Sequence, residues 1–361
     1  MAVLVKCMSS EGMEIIPEKY QMRIGIHYTK GYFSERWVRY CDSMGISYKL
    51  VNCYDNDIIQ QLSDCDALMW HFSHKSAKAG KFAHQLLYSL EASGKKVFPD
   101  FNTVWHFDDK VGQKYLLESI GAPMAPSFVF YTKEDALSWA ANTNYPKVFK
   151  LRTGAGSEHV ILVNARKDAY RLIRKAFGKG FKQYESLNNL KERIRKYRQG
   201  KMPLSQVAKG FLRLVHTTEY SRVTGRERGY VYFQEFIPGN DHDIRVVVIS
   251  DKAFAIKRMV RKGDFRASGS GEILYDRVLV DEEIIRLSFE VAEKLKVQCL
   301  AFDYVTSGSN PLIVEISYGF APEGYDPCPG FWDKNMNWHE GCFDPYGWMV
   351  DDLIKSIREK P

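Results

Sequence analysis

No apolar run in this 361-residue sequence approaches the length of a membrane-spanning helix, and the first 21 residues break their short apolar pieces with Glu11, Glu14 and Glu18. A bilayer span takes about 20 mostly apolar residues, and a secretory leader needs an uninterrupted apolar core, so neither is expected; a cytoplasmic location is. Closely spaced cysteine pairs are missing too. Cys7, Cys41, Cys53, Cys65, Cys299, Cys328 and Cys342 are odd in number and scattered, which fits reduced thiols rather than a disulfide framework. Cys328, His339 and Cys342 are spaced Cys-x10-His-x2-Cys, without the two-plus-two pairing of a structural zinc site. The turn after the first strand candidate, TKGY, has no GxGxxG, which removes the usual basis for a dinucleotide claim. No aromatic-interleaved RNA motif is present, so nucleic acid is not an expected partner.

What is present describes a soluble globular chain. Hydrophobic residues make up 45% and charged residues 26%, which excludes disordered and fibrous classes, and the length suggests more than one core. The net charge of +7 is concentrated: residues 166–228 hold 18 Lys or Arg against 5 Asp or Glu, leaving the rest of the chain acidic by 6. Such a segment attracts an anionic surface, an acidic polypeptide or a phosphorylated substrate, or simply coats helices with solvated charge.

Between Met22 and Asp100 short apolar runs alternate with helical stretches, the pattern of a small parallel α/β unit. Ser73, His74 and Lys75 follow one of its buried-looking strands, as cleft residues or as a surface turn. The later chain reads as α+β. DDKVGQKYLLESIG and KEDALSWAANTN are helix candidates, and YPKVFKLRTGAGSEHVILVN reads as strand, glycine loop, strand. A Walker loop is GxxxxGK[ST] running into a helix, whereas here Lys150 precedes the glycines and the loop joins two strands. Gly154 and Gly156 would let such a loop cover phosphates with backbone N–H groups, and a bare hairpin turn is the alternative. Farther on, DIRVVVIS and KAFAIKRMV form an expected antiparallel pair, DEEIIRLSFEVAEKLK an amphipathic helix, and CLAFDYVTS with PLIVEISYG another antiparallel pair.

Charges within these strands set the chemistry. Asp241, Asp243, Arg245, Lys257, Arg258 and Arg266 cluster in residues 234–271, and cations in a strand need anionic partners such as a polyphosphate. Asp303 and Glu315 each interrupt an apolar run. Two such carboxylates hold Mg2+ against substrate phosphates, or they pair with Arg258 or Lys257 as salt bridges; the residues leave both readings open. The tail after Tyr318 is rich in aromatics, and Tyr325, Trp332, Asp333, Asn335, Trp338, His339 and Glu340 are candidates to shape an acceptor pocket, sugar-linked acceptors included. The alternative there is a packed lid built on Trp332 and Trp338. His339, Glu340 or Asp333 would be the general base, were one supplied by this tail.

In order, KRMVRKGDFRASGSG, QEFIPGNDHDIRV and the FDYV…VEIS pair resemble the ATP-grasp superfamily, and within it the ribosomal-S6-modification and glutathione-synthetase-like ligases, over roughly 107–317. The resemblance implies an extension (1–21), an N-terminal α/β domain (22–105), a central lobe with the basic segment (106–232) and a C-terminal lobe with the aromatic tail (233–361). It implies ATP bound by Lys110, Lys150, Gly154, Gly156, Ser157, Lys257 and a hinge of Gln234, Glu235, Phe236 and Ile237, with Asp241 on the ribose. Asp303, Glu315 and Ser317 would hold Mg2+, two ions in all, with Ser317 standing where the family's ExN motif has Asn. Arg258 would lie near the transferred phosphate and Arg266 near the tetrahedral intermediate, with Arg245 toward the acceptor. The implied activity is an ATP-dependent carboxylate–amine ligase working through an acylphosphate on small-molecule acid and amine substrates. A ligase modifying a protein or peptide terminus, and an ATP-binding module without catalysis, are the alternatives.

Overall fold

The computed structural model describes residues 22–73, 76–154, 159–182, 194, 197, 203–205, 225–260, 264–267 and 272–359. The stretch 1–21, His74, Lys75, Gly156, Ser157, most of the basic segment, and 268–271 lie outside the described residues. Among the described residues no helix is long and apolar enough to cross a membrane.

The expected parallel unit forms from β1 (Ile24–His27), α1 (Phe33–Met44), β2 (Tyr48–Val51), α2 (Ile58–Gln61), β3 (Ala67–Met69), α3 (Ala77–Ala92) and β4 (Lys96–Phe98). Its strands pair in parallel in the order β2-β1-β3-β4. Helices α4 (Phe101–Val104) and α5 (Lys110–Ser119) lead out of it. The carboxylate of Asp109 caps α5 by accepting from the Val111 and Gly112 amides at 3.1 and 2.9 Å, which fixes where Lys110 begins the helix.

An antiparallel sheet follows, built from β5 (Ser127–Phe130), β6 (Lys147–Lys150) and β7 (Ile161–Val163), with α6 (Lys133–Asn142) and α7 (Arg166–Ala176) beside it. A short ribbon pairs β8 (Phe181–Lys182) with β9 (Arg226–Glu227), and β10 (Val231–Glu235) then inserts between β5 and β6. Alternation places Phe149, Val231 and Phe233 in a core with Ala169, Leu172 and Ile173 of α7, so the sheet's other face is turned toward the rest of the molecule.

The larger antiparallel sheet carries the charged strands. Its members are β11 (His242–Ile249), β12 (Lys252–Met259), β13 (Ile273–Leu274), β14 (Cys299–Ser307), β15 (Asn310–Ser317), β16 (Gly330–Asp333) and β17 (Trp338–Glu340). The order is β15-β14-β11-β12-β16-β17, with β13 on β12. One face, with Ile244, Val246, Val248, Leu300 and Phe302, packs on α8 (Glu282–Leu295). That helix buries Ile284, Ile285, Ser288, Val291, Ala292 and Leu295 along one stripe, begins at an Asp281 cap with Glu282 and Glu283, and ends with Lys294 in its last turn.

The opposite face is divided along its length. Val247, Ile249, Phe254, Ile256, Cys299 and Ala301 join a core shared with Ile24, Phe33, Trp37 and Phe98 of the parallel unit and with α9 (Pro345–Arg358). Beyond that apolar half, the same face carries Asp243, Arg245, Arg258, Asp303, Glu315 and Ser317, because strand alternation keeps them in phase. A β-bulge makes this possible on β15. Tyr304 pairs with Ile313 but Asp303 with Glu315, leaving Val314 as the extra residue, so Ile313 faces the α8 core while Glu315 faces away from it.

The aromatic tail is ordered as sheet rather than as loop. β16 pairs Lys252 with Asp333 and Ala253 with Trp332, and β17 returns as a hairpin. Gly330 is required there: a Cβ on it would lie 2.2 Å from the His339 carbonyl oxygen and 2.6 Å from the Trp338 ring. Gly330→Ala is therefore expected to cost about 1–3 kcal/mol, read as a lowered midpoint in thermal or denaturant unfolding.

Candidate nucleotide and acid site

The charged half of the large sheet, the inner face of the β6–β10 sheet and the tips of the parallel unit enclose a cavity of about 420 Å³, a size suited to a small-molecule ligand. Lys110, Val148, Lys150, Gly154 and Gln234 to Ile237 line one side, and Arg245, Asp303, Val314, Glu315 and Ser317 another. Gly31, Tyr32, His71 and Ser73 close the end nearest the parallel sheet. They follow the carboxyl ends of β1 and β3, the position at which open α/β sheets bind ligands.

Two buried lysines face the carboxylates. Lys110 Nζ lies 3.1 Å from Glu315 Oε1 and donates to the Gly154 carbonyl at 2.8 Å. Lys150 Nζ donates to Gln234 Oε1 at 2.8 Å and to the Val314 carbonyl at 3.2 Å, so the bulge supplies one of its acceptors. Burial lowers the Lys150 ammonium to about 8, Lys110 adding to the effect and Glu315 and Asp303 opposing it. Lys110 moves the other way. Burial opposes its charge, but Glu315 and Asp108 outweigh that and raise its pKa. Burial pushes the Glu315 carboxyl up, yet Lys110 and Lys150 together hold it below the usual carboxylate range.

Asp303 sits between two arginines, 2.9 Å from Arg258 and 3.2 Å from Arg245. Arg258 is itself pinned by a fork to Asp243, Nε to Oδ1 at 2.7 Å and a terminal nitrogen to Oδ2 at 2.6 Å. Burial would raise the Asp303 carboxyl, but Arg245 and Arg258 more than compensate and keep it low. Both arginine contacts fall on its Oδ1, which is inaccessible to solvent. Asp303 and Glu315, paired across β14 and β15, are oxygen donors of the kind that hold a divalent cation whose shell is completed by substrate phosphates, and Asp303 is at the same time ion-paired with both arginines. Among the described residues no group of three or more His, Cys, Asp or Glu could hold a metal without such help.

Residues 218–324 match a family model described as the RimK-like ATP-grasp domain. The D-alanine–D-alanine ligase of Bacillus anthracis, complexed with ATP, superposes with a TM-score of 0.54 at 13% identity, over 94% of this chain and 98% of that one. A RimK domain ATP-grasp protein of Sphaerobacter thermophilus gives 0.54 at 16% identity, over 92% and 98%. This chain has the ATP-grasp fold. The ATP-grasp ligase PsnB, complexed with a minimal precursor, Mg and ADP, also superposes, at 0.51 and 12% identity over 93% and 98%. Among curated proteins no match is found.

On the ATP-grasp frame, the sequence-derived residues separate into three groups. Lys110, Lys150, Gly154, Gln234, Glu235, Phe236, Ile237, Arg245, Arg266, Asp303, Glu315 and Ser317 all line the cavity. Arg266 does so while forked to Asp264 at 2.9 and 2.7 Å. Ser317 spends its hydroxyl on Gly319, donating to the carbonyl at 3.1 Å and accepting from the amide at 3.2 Å.

A second group stands just outside the wall. Arg258 is buried behind Asp303 rather than beside the cavity, so it positions that carboxylate. Asp241 is exposed at the rim, 2.5 Å from His242, and Lys257 points to the opposite face of β12 from Arg258. The third group, the expected acceptor residues Tyr325, Trp332, Asp333, Trp338, His339 and Glu340, stands apart from the cavity lining. Trp332, Asp333, Trp338, His339 and Glu340 pair with the Lys252–Ala253 end of β12, five residues or about 17 Å along the strand from Arg258. Trp332 and Trp338 pack edge to face on the α8 core, and His339 is bound to Asp333 at 3.0 Å. Tyr325 is buried between Phe254 and Phe320 and does not line the cavity either.

Sequence reasoning missed Tyr32, His71, Asn240 and His242, which line the cavity, and Asp108, which bonds the flap at Gly154. For His71 a signal existed, a histidine at the end of a buried strand, but the same pattern describes a core residue.

Proposed function

We propose that this chain is an ATP-dependent carboxylate–amine ligase acting on small-molecule acids and amines. The observation that carries the reading is the facing of two buried lysines, Lys110 and Lys150, against two strand carboxylates, Asp303 and Glu315, beneath the Gly154 flap. Lysines at these positions take phosphate oxygens, and the Gln234–Ile237 segment, running out of β10 along the cavity wall, offers backbone to a base edge. Mg2+, held by Asp303 and Glu315, would neutralise charge spreading over the transferred phosphoryl group.

In this reading the acid's carboxylate oxygen attacks the γ-phosphorus, the bond to ADP breaks, and an acylphosphate forms. The amine nitrogen then attacks the acyl carbon, phosphate leaves, and the amine gives up a proton. The chain contributes positioning and preorganised charge rather than a covalent nucleophile. Lys110 and Lys150 orient the triphosphate, Arg258 and Asp243 fix Asp303, and Arg245 and Arg266 lie where the acyl oxygens gain charge. The end lined by Tyr32, His71 and Ser73 is where the acid and amine would enter.

The test is release of ADP and phosphate across a panel of amino acids, sugar acids and amines, with product mass as readout. Release that requires both an acid and an amine, with a product lighter by one water than their sum, supports the reading; ATP turnover indifferent to every acid and amine counts against it. His339→Ala and Glu340→Ala are expected to leave the rate and both acceptor Michaelis constants unchanged, because the hairpin lies along β12 from the cavity. A raised Michaelis constant for either acceptor would return the tail to the site.

A further inference from the structure

We propose that Asp108 is a built-in occupant of the Gly154 amide beside Lys110, a phosphate-binding donor that a triphosphate must free in order to bind. This rests on the reading of Lys110 and the flap as phosphate ligands. The Gly154 N–H, at the mouth of the glycine loop, donates to Asp108 Oδ1 at 2.7 Å. Lys110, whose ammonium holds the Gly154 carbonyl at 2.8 Å, feels the Asp108 carboxylate as an attractive charge second to that of Glu315. One carboxylate thus occupies the backbone donor that a phosphate oxygen would use, within electrostatic reach of the lysine beside it.

The geometry is imposed on the chain. Asp108 has φ +54°, a left-handed conformation that a side-chain-bearing residue adopts at some cost. The flanking residues clamp the same two segments together: the Lys110 amide donates to the Arg152 carbonyl at 2.9 Å, and Arg152 pairs with Asp109 at 3.0 Å. Asp109 is fully accounted for by the helix cap and this pair; Asp108 does neither. An anion placed against a phosphate-binding amide competes with phosphate by occupying the donor and by like-charge repulsion.

The experiment measures dissociation constants of inorganic triphosphate and of ATP by calorimetry for the wild type, Asp108→Asn and Asp108→Gly. Asn keeps the shape and removes the charge; Gly removes the side chain and is at ease at positive φ, so a folding defect in one leaves the other. Both variants are expected to bind triphosphate about tenfold or more tightly than the wild type, as removal of a like charge beside a bound anion predicts. If Asp108 were only a strap holding the flap, both would bind more weakly; weaker or unchanged triphosphate binding overturns the proposal. Tighter triphosphate binding without acid- and amine-dependent turnover would keep this inference and sink the ligase reading. Turnover with unchanged triphosphate affinity would do the reverse.

Discussion

Asp303→Asn and Glu315→Gln are each expected to lower turnover by about 10³-fold or more, since several kcal/mol of charge stabilisation at a transferring phosphoryl group translate to a factor of ten per 1.4 kcal/mol. The two substitutions differ in what they disturb. Asp303 lies between Arg245 and Arg258, and loss of one partner of a buried ion pair costs about 3–5 kcal/mol when nothing replaces it. Here Arg258 keeps its fork to Asp243, so Asp303→Asn should fold with reduced stability. Glu315→Gln leaves Lys110 and Lys150 facing each other without their shared anion, which should depress the Lys150 ammonium further and take away the main charge that raises Lys110. Activity, circular dichroism and nucleotide binding measured together separate these effects. Retention of most activity by either folded variant would remove the carboxylates from the reaction.

Nucleotide affinity should fall by about tenfold per pH unit between pH 8 and 10, because the Lys150 ammonium, at about 8 in the ligand-free protein, must be protonated to meet phosphate. The sign for stability is opposite. The folded pKa lies below the ordinary value of 10.5, so within that window the unfolded chain binds the proton and the folded one does not, and Lys150 makes stability rise with pH. Its burial costs the fold about 3 kcal/mol below pH 8, free energy that a bound polyphosphate offsets. Lys150→Met should flatten the pH dependence of binding over this window and weaken ATP binding by about 30- to 1000-fold, the cost of removing one partner from a buried charge pair. Calorimetry in buffers of different ionisation enthalpy reads the proton uptake directly; its absence in the wild type at pH 9 would overturn the assignment of Lys150.

Much of this arrangement is legible in the residues because physical cost marks it. A carboxylate in an apolar strand, as at Asp303 and Glu315, and a lysine closing another, as at Lys150, are anomalies that periodicity exposes. The parallel unit, α5, α8 and the antiparallel pairs are likewise carried by strong local patterns. What escaped depends on register and backbone angle. That Arg258 is spent on Asp243 follows from their pairing across β11 and β12, which no local pattern encodes. The positive φ of Asp108 has no signature beside the capping Asp109. In the tail, aromatic density does not distinguish a binding surface from a packed hairpin: Trp332 and Trp338 serve the α8 core because β16 joins the far end of β12. The α9 helix did have a signal, Asp344 followed by Pro345 at the first helical position.

The unpaired Val314 acts as a phase change written into one strand. On either side of it the odd-numbered residues belong to different environments, Ile313 to the oily layer beneath the sheet and Glu315 to the cavity above it. A single-residue insertion or deletion between Val314 and Glu315 would therefore exchange cavity for core and core for cavity along the remainder of β15, while an equal change in a loop would pass unnoticed. Any transplant of this carboxylate pair onto another sheet has to carry the extra residue with it.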